Sequence, residues 1–273
     1  MSAMSAKSAA GRTAPISAGQ RAAWAVSDTL VMGGRNLLHY VRVPDLLAFS
    51  TIMPVIFQLL FAYVFGGVIR IPGVRYIDYM MPGIFVQAIV FGLVQTGVGL
   101  AQDLSSGMVD RFRSLPIARS AVLLGRTLSD TVRNSFVVLL MTAVGFLLGF
   151  RFHAGLVPAV SALALVVVFG LALSLISASI GLTVASPESA QAAGFTWVVP
   201  IIFASSAFVP VATMPGWLQA VAKINPVTPT VDALRALTFG GPTAGHLLRS
   251  LAWTLGIVVL FTPLAVARYR RTA

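Results

Sequence analysis

Six stretches of this chain fit no solvent but a bilayer: residues 46–69, 79–101, 134–150, 156–185, 192–210 and 248–267. A helix that crosses a membrane takes about 20 mostly apolar residues. Hydrocarbon offers no partner to a backbone N–H or C=O, so runs of this length must satisfy themselves as helices. The expected fold is an all-α integral membrane protein with six transmembrane helices. The third span is the shortest, because Arg126, Asp130 and Arg133 interrupt its N-terminal extension and set its start at 134.

A net charge of +11 raises the question of nucleic acid, and the placement of that charge answers it. Only 10% of the residues are charged, against about 25% in soluble domains. The basic residues lie between apolar runs and do not gather on one solvated face, so no nucleic-acid partner is expected. Their distribution speaks to topology instead. With the N-terminus inside, thirteen lie on the cytoplasmic side: Lys7, Arg12, Arg21, Arg35, Arg42, Arg111, Arg113, Arg119, Arg126, Arg133, Arg268, Arg270 and Arg271. Six lie outside: Arg70, Arg75, Arg151, Lys223, Arg235 and Arg249. An even number of spans then brings the C-terminus inside as well, with 268–273 as a cytoplasmic tail.

Residues 1–22 are Ala/Ser-rich, lack an apolar h-region, and read as a disordered cytoplasmic tail rather than a signal peptide. Residues 23–42 form a separate element. At about 100° per residue, Trp24, Leu30, Val31, Leu37, Leu38 and Val41 share one sector, while Arg21, Asp28, Arg35, His39 and Arg42 share another. A helix lying in the membrane interface has this pattern, and so does a solvated helix ahead of the first span. Pro44 then lets the chain turn into span one. In span four, Gly170, Ser174 and Ala178, and again Ser177, Gly181 and Ala185, recur at the spacing that lets helix backbones approach closely in lipid.

The spans as drawn hold no Asp, Glu, Lys, Arg or His near their centres, which disfavours an ion-coupled transporter. The histidines at 39, 153 and 246 are scattered over both sides, and the absence of cysteine removes thiolate sites, so no metal centre assembles. No serine stands in a G-x-S-x-G setting. No G-x-x-x-x-G-K-[ST] loop cradles phosphates, so no cofactor is expected in this chain and any ATP-driven work draws on another polypeptide. The chain is therefore not expected to be an enzyme.

The stretch from Ser105 to Pro116 connects spans two and three on the cytoplasmic side. Met108, Phe112 and Leu115 stand at i, i+4 and i+7 on one face. Asp110, Arg111 and Arg113 lie off that face, Ser105 or Ser106 can cap the helix, and Pro116 ends it. Such a helix can be a docking knob for a soluble partner, or it can rest on the membrane interface. The row Arg126, Asp130, Arg133 places the acid beside both bases on one helix face, where it neutralises the start of span three or binds lipid headgroups.

Here the residues carry a resemblance. Asp103, Gly107 and the run Asp110-Arg111-Phe112-Arg113-Ser114-Leu115-Pro116-Ile117, followed by Arg126, Asp130 and Arg133, resemble the cytoplasmic loop of ABC-2 type exporter permeases. Outside, Phe208-Val209-Pro210, Met214-Pro215-Gly216-Trp217-Leu218-Gln219, Asn225-Pro226-Val227-Thr228, Asp232 to Arg235 and Gly240-Gly241 resemble the segment before the last span of daunorubicin-resistance type permeases. With the six-span layout, the resemblance covers roughly residues 25–270. It implies a half-transporter in the prokaryotic plasma membrane. Two permease subunits, identical or related, would pair, each resting on a separate ATP-binding subunit that holds ATP and Mg. Gly107, Met108, Asp110, Arg111, Phe112, Arg113 and Leu115 would then be the coupling element, with the interfacial helix (Trp24, Arg35) beside it.

The outer motif suggests two half-helices dipping into the outer leaflet as a gate, marked by Trp217, Asn225, Pro226, Asp232 and Arg235. Thr228 as N-cap, Pro229 at the first helical position and an Asp232–Arg235 i, i+3 pair shape the second of them. Gln87 and Gln95 are the candidate substrate-path residues, among many Ser, Thr and Phe side chains. An aromatic-rich route with few charges favours a hydrophobic or amphiphilic cargo: a drug, an antibiotic or a lipid-like molecule. An ion-coupled transporter and a non-transporting membrane scaffold are the alternatives.

Overall fold

The computed structural model describes residues 27–34, 37–38, 42, 44–67, 73–107 and 119–272. The architecture is all-helical. Helix α1 (Pro44–Leu60) runs on as a π-helix, Phe61–Phe65, and is followed by α2 (Tyr76–Ser105), α3 (Arg119–Leu147) and α4 (Leu156–Gly181). Then come α5 (Pro187–Phe203), two short helices α6 (Gly216–Ile224) and α7 (Val227–Phe239), and the final α8 (Ala244–Thr272). Among the described residues, four helices are long and apolar enough to cross a membrane: Tyr76–Ser105, Gly125–Leu147, Leu156–Gly181 and Ala244–Tyr269. Thr51–Phe65 is a shorter apolar helix.

Helix α2 is the hub. It is apolar around its whole circumference, and a helix of that kind belongs inside a bundle. Met80, Met81, Ile84, Phe85, Val86, Ile89, Val90 and Leu93 are all essentially inaccessible. Helices α4 and α5 pack along it. The small-residue row of α4 meets α2 where Gly181 and Gly97 face each other, so closely that a Cβ on Gly181 would strike the Gly97 carbonyl. In lipid this close backbone approach replaces the hydrophobic drive that would hold the helices together in water. The outer surface is apolar in its turn, with Ile52, Met53 and Ile56 on α1, Tyr63 on its π-helical extension, Val132, Phe136 and Leu139 on α3, and Leu255, Val259 and Leu260 on α8 all exposed. Soluble monomers do not carry patches of this extent.

Helix α3 begins at Arg119 rather than 134 and overturns one expectation. Arg126, Asp130 and Arg133 lie inside the helical segment, so the third apolar helix does contain ionisable groups, with Asp130 and Arg133 buried. They are tolerated because they are partnered within the row and from α2. Asp130 is held by Arg133 at 3.7 Å and by the Thr96 hydroxyl at 2.7 Å, and Arg126 reaches Asp103 at 3.2 Å. The row is thus self-neutralising in part: Asp130 pairs with Arg133, whereas Arg126 pairs with Asp103 on α2. Asp130 is not the unengaged acid that an ion-coupled carrier would offer.

Residues 27–34 are helical, in keeping with the expected N-terminal element, although Trp24 and Arg35 lie outside the described residues. Met32 and Gly33 press on α3 at Gly125 and Leu128, while Leu30, Val31 and Leu38 face outward. At the other end α8 continues past 267 to Thr272, with Tyr269 buried against Leu100, Ala178 and Leu182.

Candidate functional site

The polar chemistry of the bundle concentrates where α5 ends. Pro200 lies in its last turn, its carbonyl takes the Ala204 N–H at 2.9 Å, and the chain then leaves the helix through Ser205, Ser206 and Ala207, all buried. Buried backbone groups outside a helix need partners. Three side chains from the α6–α7 region supply them. Asn225 donates from Nδ2 to the carbonyls of Ile201 (2.6 Å) and Ala204 (2.8 Å). Arg235 donates from one terminal nitrogen to the carbonyls of Ser206 (2.7 Å) and Ala207 (3.2 Å). The Thr228 hydroxyl accepts the Ser206 N–H at 3.3 Å.

Arg235 is the centre of this group. Its Nε donates to the Tyr79 carbonyl at 3.2 Å, and its guanidinium carbon sits 3.7 Å from the centre of the Tyr79 ring. Asp232 accepts from Arg235 at 3.3 Å and from the Ser206 hydroxyl at 2.9 Å. One guanidinium therefore joins α7, the break after α5 and the first turn of α2. The expected Asp232–Arg235 pair is present. The expected start of the helix is not: α7 opens at Val227, with Pro226 as its N-cap residue, and Thr228 lies within the first turn. Asn225 takes the capping role, its Oδ1 accepting the Val227 N–H at 2.9 Å, because its Nδ2 is already anchored to α5 and holds the side chain in place.

Asn225, Pro226, Asp232 and Arg235 thus come together, whereas Trp217 stands apart. It is 71% exposed, and with Val221 and Ile224 it forms the outward apolar stripe of α6. Beside the Arg235 group, the buried carboxylate of Asp78 gathers Arg75 (2.8 Å), the Arg151 N–H (3.2 Å) and His153 (3.4 Å). The backbone N–H of His153 donates to the Thr238 carbonyl at 2.8 Å. This second node fixes the α3–α4 turn and the end of α7 to the same first turn of α2.

Farther along the bundle, Gln58 on α1 is fully buried and donates to the Met81 sulfur and the Met141 carbonyl, each at 3.2 Å. Gln87 is buried on α2, whereas Gln95 is exposed. The two candidate path residues are about 12 Å apart along the helix axis. Phenylalanine rings form a continuous chain, Phe65–Phe61–Phe57–Phe91–Phe195, with Phe208 and then Phe203 branching from Phe61, at ring separations of 4.5 to 6.4 Å. At the other end of α2, Gly107 has a left-handed φ of +67°, turning the chain off the helix. Met108, Asp110, Arg111, Phe112, Arg113 and Leu115 lie outside the described residues.

Tyr79 and Thr96 were not singled out from the sequence, since each acquires its meaning from a partner on a distant helix. Residues 27–239 match the family model of the ABC-2 type transporter. The chain belongs to that family. This ABC-2 permease is 38% identical over 259 residues to the daunorubicin resistance ABC transporter permease protein DrrB1 of Streptomyces coeruleorubidus, covering 93% of this chain and 91% of that one. It is 28% identical over 250 residues to the probable doxorubicin resistance ABC transporter permease protein DrrC of Mycobacterium tuberculosis, covering 91% and 90%. Membership makes the chain a membrane-embedded permease that works with an ATP-binding partner subunit.

Proposed function

We propose that this permease is the membrane half of an ATP-driven drug exporter in the plasma membrane. The observation that carries this reading is the 38% identity, along nearly the whole chain, to a daunorubicin resistance permease. Helix α1 with its π-helical extension, α2, α3, α4, α5 and α8 are the six spans, and both termini are cytoplasmic. The basic bias of the cytoplasmic segments supports this orientation and keeps its sign when Arg126 and Arg133 are placed in the third span. Two such permeases, identical or related, pair, and each rests on an ATP-binding subunit that holds ATP and Mg.

In this reading, Gly107 to Leu115 is the element the ATP-binding subunit grips, with Met108 and Phe112 as its apolar knob and Asp110, Arg111 and Arg113 at the rim. The N-terminal helix packs on α3 at Gly125, in the stretch of α3 that follows this element in the chain. On the opposite side, the Arg235 group seals the path: the break after α5, the α7 helix and the start of α2 separate only if Arg235 surrenders several hydrogen bonds together. The phenylalanine chain supports a planar, hydrophobic or amphiphilic cargo such as an anthracycline, because aromatic faces stack on such a molecule without fixing its identity. Gln87 and Gln95 are side chains of the same helix that can meet it.

The test is co-purification with the ATP-binding subunit and daunorubicin efflux from cells expressing both. Phe112→Ala and Met108→Asp are expected to lose both association and efflux. Association and efflux that both survive those changes contradict the coupling assignment.

A further inference from the structure

Arg126 and Arg133 each lie across a glycine of α2. The Arg133 guanidinium rests 3.5 Å from where a Cβ on Gly92 would stand and donates to the Gly92 carbonyl at 2.9 Å. A Cβ on Gly99 would overlap the Arg126 guanidinium, which donates to the Gln95 carbonyl at 3.4 Å and to Asp103 at 3.2 Å. Between the two arginines, Thr96 donates to Asp130 at 2.7 Å. Gly92, Thr96 and Gly99 on α2 therefore meet Arg133, Asp130 and Arg126 on α3 in antiparallel register. Spacings of four and three put each set on one helix face.

The side chains of Asp130 and Arg133 are each 2% exposed, and those of Arg126 and Asp103 each 15%. Apolar packing gives little drive for helix association where the surrounding lipid is equally apolar, so polar contacts and close approach at glycine carry more of the work. This seam joins the two helices that flank the cytoplasmic loop. Next to it, the N-terminal helix crosses α3 at Gly125, where Met32, Gly33 and the Thr29 carbonyl leave no room for a side chain.

We propose that this polar seam is a clasp that makes α2 and α3 one rigid lever, with Thr96, Arg126 and Asp130 as positioning residues for coupling. A push on the loop is then delivered to the whole hairpin instead of being lost by parting its two helices. The proposal rests on the loop being the coupling element. It adds that the hairpin behind the loop moves without opening.

The experiment uses the complete complex with its ATP-binding subunit in proteoliposomes, with daunorubicin as the probe and cargo moved per ATP hydrolysed as the readout. Thr96→Val removes one hydroxyl at constant shape. Subunit association and ATP hydrolysis are expected to stay within about two-fold of the parent, while cargo per ATP falls about five-fold, the worth of one buried hydrogen bond. Thr96→Ser should restore it. Because the chain has no cysteine, the double variant Asp103→Cys/Arg126→Cys can be bridged by a short bifunctional thiol reagent. Cargo per ATP should fall in the unbridged double variant and recover on bridging. If bridging stops transport while ATP hydrolysis continues, α2 and α3 must part during the cycle and the proposal is overturned. Unchanged cargo per ATP in Thr96→Val also overturns it. Failure of the underlying reading is separate: association and transport would then survive Phe112→Ala.

Discussion

Replacing Arg235 by alanine is expected to destabilise the permease more than any other single change in the outer group, and the geometry says by how much. Arg235 supplies the donor for two buried carbonyls, Ser206 and Ala207, and its side chain is 11% exposed. Each buried carbonyl left without a donor costs about 1–3 kcal/mol. Losing the contact with the Tyr79 ring costs about 2 kcal/mol in a desolvated setting. The Asp232 side chain is 31% exposed, so its ion pair contributes about 1 kcal/mol or less. These effects overlap, and about 3–5 kcal/mol is the expected total, the range for removing one partner of a buried polar network. Arg235→Lys keeps the charge but loses the planar stack and the fork geometry, for about half that cost. Asp232→Asn should cost about 1 kcal/mol. The assay is reversible SDS unfolding in mixed detergent micelles, followed by tryptophan fluorescence. If the lysine variant matches the parent, or Asp232→Asn is as damaging as Arg235→Ala, the outer group is held by the ion pair and not by the backbone carbonyls, and the reasoning fails.

Two further substitutions probe the rest of the framework by the same unfolding assay. Asn225→Asp keeps an oxygen for the Val227 N–H but cannot donate to Ile201 and Ala204. It should cost about 2–4 kcal/mol, no less than Asn225→Ala, whereas a pure capping role predicts that aspartate is harmless. Gly181→Leu should part α2 from α4 at a cost of about 3 kcal/mol or more, while Trp217→Ala, at an exposed site, should stay within about 0.5 kcal/mol.

The long apolar runs were legible because a bilayer accepts one answer to them: four of the described helices are long and apolar enough to cross it, and the ends of α2 and α4 fall close to where hydropathy put them. The start of α3 was not. A span was expected to begin after its last charge, yet Asp130 and Arg133 sit inside the helix because Thr96 and the Gly92 carbonyl satisfy them from α2. Nothing local to residues 126–133 announces a partner so far back in the chain. Asp232 and Arg235 were readable as a pair from their spacing. Tyr79, 156 residues from Arg235, was not, since an aromatic beside a proline-containing helix is unremarkable until a guanidinium lies on it. Asn225 was picked out by resemblance alone, and the fold gives the physical reason: one amide side chain closes α5 and opens α7. Gln87 and Gln95 show the reverse limit, because polarity within a span does not say which way a side chain faces.

The most direct test of ATP-driven export by this permease is daunorubicin accumulation in inverted membrane vesicles that contain the permease and its ATP-binding subunit. Accumulation should require ATP and both proteins, and it should vanish with a hydrolysis-deficient partner or with Phe112→Ala. Accumulation that persists without ATP or the partner, and collapses instead when the proton gradient is dissipated, would contradict the account.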